Sequence, residues 1–215
     1  GLCFDKDKNV GNGRIILFVG RLDEIKGLNY LIHAFRHIAD KYADIRLVVA
    51  GDGDFQLYLS QCRDLQGRVS FLGKVSSSEV EDVYRSAYIG VMPSFHEQCS
   101  YTAIEMMRHK IPLIGTDTTG LAEMLDATPE LRVSIDEDNM MDEEFTERLV
   151  SCLNLLLSDE DAYQRAADAV GKLYEARYKV SDMVHATCGV MESSWDRPDY
   201  TVSPDYLKHI DSRMI

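Results

Sequence analysis

The feature that most constrains this chain is a run of short apolar stretches, each cut off by a turn-forming residue. Residues 15–19 (IILFV) stop at Gly20, residues 46–50 at Gly51, residues 69–72 at Gly73 and residues 88–92 at Pro93. A fifth stretch, 111–115, opens into the polar loop 116–120. They do not alternate apolar with polar residues and they are rich in β-branched and aromatic side chains, so they read as strands covered on both faces. Between them the period changes. Leu28, Leu31, Ile32, Phe35 and Ile38 lie on one helical face. A shorter, less regular helix is predicted over 55–65. Ser76 and Glu79 form a capping box ahead of a third helix bearing Val80, Val83, Tyr84 and Ala87. Residues 101–108, with Ile104, Met106 and Met107, predict a fourth.

Strands separated by single helices pair in parallel through right-handed crossovers. Residues 131–135 add a possible sixth strand, and the loop 116–120 leads into a helix starting near Leu121. From residue 143 the pattern is helical only, with Phe145, Leu149, Cys152, Leu153, Leu156 and Leu157 on one stripe. The sum is an α/β fold: a doubly wound, parallel, six-stranded, Rossmann-like sheet with extra C-terminal helices. The expected organisation is a leading segment over 1–13, one domain over 14–195 and a tail over 196–215. A chain of 215 residues buries roughly 70% of its unfolded surface, enough for a core without staples. The first residue is Gly, not Met, and the chain is read as part of a larger protein.

Five widely spaced cysteines without a Cys-x-x-Cys pair fit reduced thiols in a cytoplasmic protein better than disulfides or zinc. No early apolar run approaches the roughly 20 residues of a membrane helix. Any peripheral membrane association is expected only through a domain outside this sequence. The formal charge is −13, which repels nucleic acid at long range. A small phosphate ligand then needs cations placed locally.

In open parallel sheets ligands bind beyond the carboxyl ends of the strands. After the first strand, Gly20 is followed by Arg21 and by Lys26-Gly27, two cations beside a helix start where free N–H groups favour anions. After the second, Gly51-Asp52-Gly53 reads mainly as a tight turn; Gln56 stands where a dinucleotide fingerprint has its third glycine. After the third, Phe71, Gly73, Lys74 and Val75 are candidates to wall a planar base. After the fourth come Glu97 and, eight positions on, Glu105. Both would face one site if the helix started early. Carboxylates suit ligands rich in hydroxyls, and the amides of residues 98–100 suit a diphosphate.

Taken in order, these loops resemble the C-terminal domain of a GT-B retaining glycosyltransferase of family 4, the glycosyl transferases group 1 type. The likeness covers about residues 14–178 and rests on Gly20-Arg21 with Lys26-Gly27, residues 50–53, Val69-x-Phe71-x-Gly73, Pro93-Ser94 and Glu97-x7-Glu105, then Pro112, Gly120 and Glu123. The resemblance implies that Arg21, Lys26 and Glu97 are catalytic: the cations hold the donor diphosphate and Glu97 touches the donor sugar. It implies that Glu105 binds the ribose hydroxyls, that residues 71–75 flank the base and that Cys99, Ser100 and Tyr101 approach the phosphates. Two departures stand out: Gln98-Cys99-Ser100 where many relatives have small residues and glycines, and Thr118-Thr119-Gly120 without the usual glycine pair.

The expected function is the donor half of a transferase that moves a sugar from a nucleoside diphosphate sugar to an acceptor. The acceptor domain would lie outside this sequence, so the piece alone would be inactive. No cofactor or metal is expected; Asp52-x-Asp54 reads as a turn, Asp136-x-Asp138 as solvated acid, and His33 with His37 lacks two further ligands. The other readings are a non-catalytic nucleotide-binding module and a GT-B-like epimerase or phosphorylase.

Overall fold

The computed structural model describes residues 13–65, 67–135 and 143–195. Residues 1–12, the acids at 136–138 and the tail over 196–215 lie outside the described residues. In chain order the elements are β1 (Arg14–Val19), α1 (Leu28–Ala39), β2 (Ile45–Ala50), α2 (Phe55–Gln61), β3 (Val69–Gly73), α3 (Ser77–Ser86) and β4 (Ala87–Met92). They continue with α4 (Tyr101–Arg108), β5 (Leu113–Thr116), α5 (Thr119–Met124), β6 (Arg132–Val133), α6 (Glu143–Ser158), α7 (Glu160–Arg177) and α8 (Val180–Trp195).

The sheet has six strands in the order β3-β2-β1-β4-β5-β6, all pairs parallel. Winding starts at β1, runs outward to β3, then crosses back to β4 on the other side of β1. That reversal splays the loops after β1 and β4 apart and opens a crevice at their carboxyl ends. The strands there are fully covered: Ile16, Leu17, Ile89 and Val91 have no exposed surface. The buried face of α1 packs against the sheet and against α6, with Phe35 and Leu31 inside. Truncating Phe35 to alanine would cost about 3–5 kcal/mol.

The Ser76 capping box forms as the sequence predicts. The Glu79 carboxylate accepts from the Ser76 N–H at 2.8 Å, and Ser76 Oγ accepts from the Glu79 N–H at 3.4 Å. Two strands are shorter than predicted. β5 starts at Leu113, not 111: Pro112 has no N–H to give, and its carbonyl accepts from Gly90 N at 2.9 Å. β6 keeps only Arg132–Val133. Leu131 is spent on a 3-10 turn, and the Ile135 N–H donates to the Asp117 carboxylate at 2.9 Å, not to the sheet. The predicted helix over 55–65 likewise breaks at Cys62, whose N–H bonds the Leu59 carbonyl, and ends as a 3-10 turn.

The chain separates into two compact units at Ala176/Arg177. The first holds the whole sheet with α1 to α6 and nearly all of α7, and the second includes α8.

Candidate functional site

At the carboxyl ends of β1 and β4 lies a cleft of about 210 Å³. Six residues singled out by sequence line it: Gly20, Lys26, Glu97, Cys99, Ser100 and Tyr101. They come from two loops, and the local chemistry explains why the loops meet. The Asp23 carboxylate accepts from the Lys26 N–H at 3.2 Å, closing a 3-10 turn over Glu24–Lys26. Gly27 then takes the left-handed conformation, φ 67°. A Cβ there would overlap the Pro93 carbonyl oxygen. Only glycine combines that backbone with that approach. Beside it, the Phe95 N–H donates to the Ile25 carbonyl at 2.8 Å, which sews the β1 loop to the β4 loop.

The second loop is held from several sides. Thr116 Oγ1 donates to the Ser94 carbonyl at 2.5 Å. The Phe95 ring meets Tyr30 of α1 at 5.3 Å and Phe145 of α6 at 5.5 Å. The Gly120 N–H donates to the Glu97 carbonyl at 3.1 Å. A Cβ on Gly120 would overlap Gln98 O, so α5 can approach this loop only through a glycine.

The result is one close ion pair. Lys26 Nζ donates to Glu97 Oε2 at 2.6 Å, with the two side chains 20% and 12% exposed. Both groups are largely withdrawn from water, so the charge-assisted contact is screened little by salt. Arg21 behaves differently. Its side chain is 76% exposed and pairs with Asp23 at 3.2 Å, outside the cleft lining.

Glu105 does not reach the cleft by the helical period suggested from sequence. α4 begins at Tyr101, so Glu97 sits in the loop and no common helix aligns the two carboxylates. Ser100 caps that helix, its buried Oγ accepting from Ala103 N at 3.2 Å. Tyr101 is 77% exposed at its first position. Glu105 stands three residues past Thr102, a cleft-lining residue on the same helical face. Its Oε2 accepts from the Tyr84 hydroxyl at 2.6 Å. Tyr84 entered the sequence reading only as part of an apolar stripe. The signal was available: a buried tyrosine hydroxyl needs a partner.

The residues proposed to flank a base stand two strands from β1, at the end of β3. Phe71 packs edge-on against Phe55 at 5.2 Å and lines a separate hollow under α2. Gly73 closes β3, its carbonyl accepting from Gly51 N at 2.8 Å, while Lys74 is exposed and Val75 half-buried. None of the four lines the cleft. Gly51-Asp52-Gly53, expected as a tight turn, instead runs on alongside the β1 loop, with Gly53 bridging in parallel to Leu22. The Asp52 carbonyl accepts from Leu22 N at 2.8 Å, and Asp54 caps α2 through Leu57 N at 3.2 Å. His33 and His37 are both exposed on α1. Among the described residues no helix is long and apolar enough to cross a membrane.

The glycosyl transferases group 1 family matches residues 13–159. An uncharacterized glycosyltransferase of Methanocaldococcus jannaschii is 37% identical over 115 residues, covering 52% of this chain and 29% of that protein. The chain thus spans under a third of that relative's length. The C-terminal domain of a glycosyl transferase group 1 family protein, LpcC, from Francisella tularensis superposes with a TM-score of 0.67 at 24% identity, over 79% of this chain and 88% of that one. Anabaena HepE, solved in complex with UDP and glucose, gives a TM-score of 0.71 at 19% identity, over 85% of this chain and 49% of that one. The six-stranded sheet is thus the Rossmann-like fold of GT-B glycosyltransferases. With the family pattern running from Gly13 to Asp159 and the paired cation and carboxylate at the sheet's switch point, the chain belongs to the glycosyl transferases group 1 family.

Proposed function

We propose that this chain is the donor-binding half of a retaining glycosyltransferase that takes its sugar from a nucleoside diphosphate sugar. The observation that carries the reading is the Lys26–Glu97 pair, a cation and a hydroxyl-gripping carboxylate 2.6 Å apart in a cleft at the switch point. A donor has the matching order of groups: an anionic diphosphate joined to a polyol.

In this reading Lys26 turns from Glu97 to the diphosphate and Glu97 turns to the sugar hydroxyls. Arg21, one residue beyond the cleft-lining Gly20, leaves Asp23 to join Lys26. Bond breaking concentrates negative charge on the departing diphosphate. Fixed cations and helix-start amides stabilise that charge more than they stabilise the bound donor, which lowers the barrier. No metal is required where those cations supply the charge. The ribose would meet Glu105, and the base would extend along the strand ends toward residues 71–75, about 10 Å away across two strand spacings. A cleft of 210 Å³ is smaller than the roughly 300–1,000 Å³ of complete ligand sites. That fits one wall of a site whose acceptor side belongs to another domain. HepE, which shares the fold, is solved with UDP and glucose, so uridine nucleotides are the first probes.

Titrating UDP, GDP and ADP against the chain while following its melting temperature tests the reading. One of them should raise it, because a ligand that binds only the folded state stabilises it. If all three leave it unmoved, the assignment fails. In the full-length protein, Arg21→Ala or Lys26→Ala should lower turnover by about 10²–10³-fold, the scale of losing one oxyanion donor.

A further inference from the structure

We propose that Tyr84 is a positioning residue for Glu105, setting which carboxylate oxygen is offered to the donor's ribose; this rests on the donor-binding reading above. The Tyr84 side chain is fully buried on α3, and its hydroxyl donates to Glu105 Oε2 on α4 at 2.6 Å. A phenol has one hydrogen to give. Spending it on Oε2 fixes the carboxylate's rotation and leaves Oε1 to accept from a ligand hydroxyl. A phenylalanine keeps the ring and removes only the hydroxyl.

A second rung one turn away keeps the phenol in place. Glu81, three residues before Tyr84, pairs with His109 Nε2 at 3.0 Å and with Arg108, at the far end of α4. The His109 ring lies against the Tyr84 ring, centroids 5.6 Å apart and planes 25° from parallel. Burial pushes the imidazole below its ordinary pKa, against the upward pull of Glu81. Its Nε2 lies within hydrogen-bond reach of the Glu81 carboxylate. Burial, together with the Glu105 carboxylate, pushes the Tyr84 phenol far above the usual tyrosine range. It therefore stays a donor wherever the protein works. The rungs 81–109 and 84–105 run in opposite directions along α3 and α4, so rotation of either helix would break both.

The test measures binding of UDP, GDP and ADP, and of their 2′,3′-dideoxy counterparts, to wild type, Tyr84→Phe, Glu105→Ala and the double variant by calorimetry. Wild type should prefer the ribonucleotide. Tyr84→Phe should weaken ribonucleotide binding about tenfold, the scale of one hydrogen bond to a charged group, and leave the dideoxy form unchanged. The double variant should bind no worse than Glu105→Ala. Melting temperatures check that each variant is folded. If Tyr84→Phe weakens both forms equally, the role is structural and the proposal fails. If Glu105→Ala erases the ribose preference while Tyr84→Phe keeps it, the proposal fails alone. If wild type shows no preference, or Glu105→Ala retains it, the ribose assignment of Glu105 falls and takes the proposal with it.

Discussion

Lys26 Nζ and Glu97 Oε2 stand 2.6 Å apart although 71 residues separate them in the chain. In the donor site proposed above, these two groups would grip a diphosphate and a sugar, and in this structure each engages the other. Neutralising the carboxylate releases the cation. Glu97→Gln should therefore bind UDP, or whichever diphosphate shifts the wild-type melting temperature, about tenfold tighter, a change of roughly 1.4 kcal/mol. The same variant in the full-length enzyme should transfer sugar about 10²-fold more slowly. Calorimetry and an initial-rate assay read the two effects. Tighter binding with undiminished transfer would remove Glu97 from the chemistry.

Gly27 and Gly120 fix where those two groups stand. Gly27→Ala meets both an unfavourable backbone angle and the Pro93 carbonyl; Gly120→Ala meets Gln98 O. Each should cost at least about 1–3 kcal/mol, a fall of roughly 2–4 °C in Tm per kcal/mol for a chain this size. Calorimetric melting provides the check. A Gly27→Ala variant melting with wild type would mean that the loops part easily.

The cysteines divide by environment. Burial pushes the Cys62 and Cys152 thiols up to about 11, so almost none of either is thiolate at pH 8 and alkylation should wait for unfolding. Cys99 and Cys188 are exposed and should label at once. Because Cys99 lines the cleft, bound UDP should slow its labelling and leave Cys188 unchanged. Peptide mass mapping separates the sites. Equal protection of both by nucleotide would move the binding site elsewhere.

Arg14 clamps the loop before β2 through Asp44 at 2.7 Å. The hydrogen bond from Arg14 holds the Asp44 carboxyl below its ordinary value of 3.8. A depressed pKa contributes stability above the unfolded value and loses it as pH falls through the folded one. Wild type should thus melt above Asp44→Asn at pH 7, and the gap should shrink as pH falls below the ordinary value of 3.8. Asp44 is 52% exposed, so salt should narrow the gap at neutral pH. A gap that does not change as the pH is lowered through this range would assign the effect to packing.

The strands, their glycine stops and the capping box were legible because each is set by neighbours within a few residues. Lys26 and Glu97 were legible as candidates for the same reason: both follow strand ends. Their direct pairing was not, because it depends on β1 and β4 lying side by side, which no local pattern encodes. Tyr84 and Glu105 show the same limit, being 21 residues apart on different helices. β6 was read too long because the Asp117 side chain captures an N–H that apolar patterning assigns to the sheet. Glu105 was placed by counting turns on a helix that starts at Tyr101, later than the count assumed.

The ring of Phe95, wedged between Tyr30 and Phe145, and the buried cap at Ser100 make the β4 loop a bracket bolted at both ends. Between the bolts, His96, Gln98 and Cys99 contribute no side chain to the hydrogen bonds that hold it. This is where a protein engineer would begin. The three positions offer an exchangeable tip on a fixed mount, so libraries there can vary the side chains on either side of Glu97 while the bolts keep the fold intact.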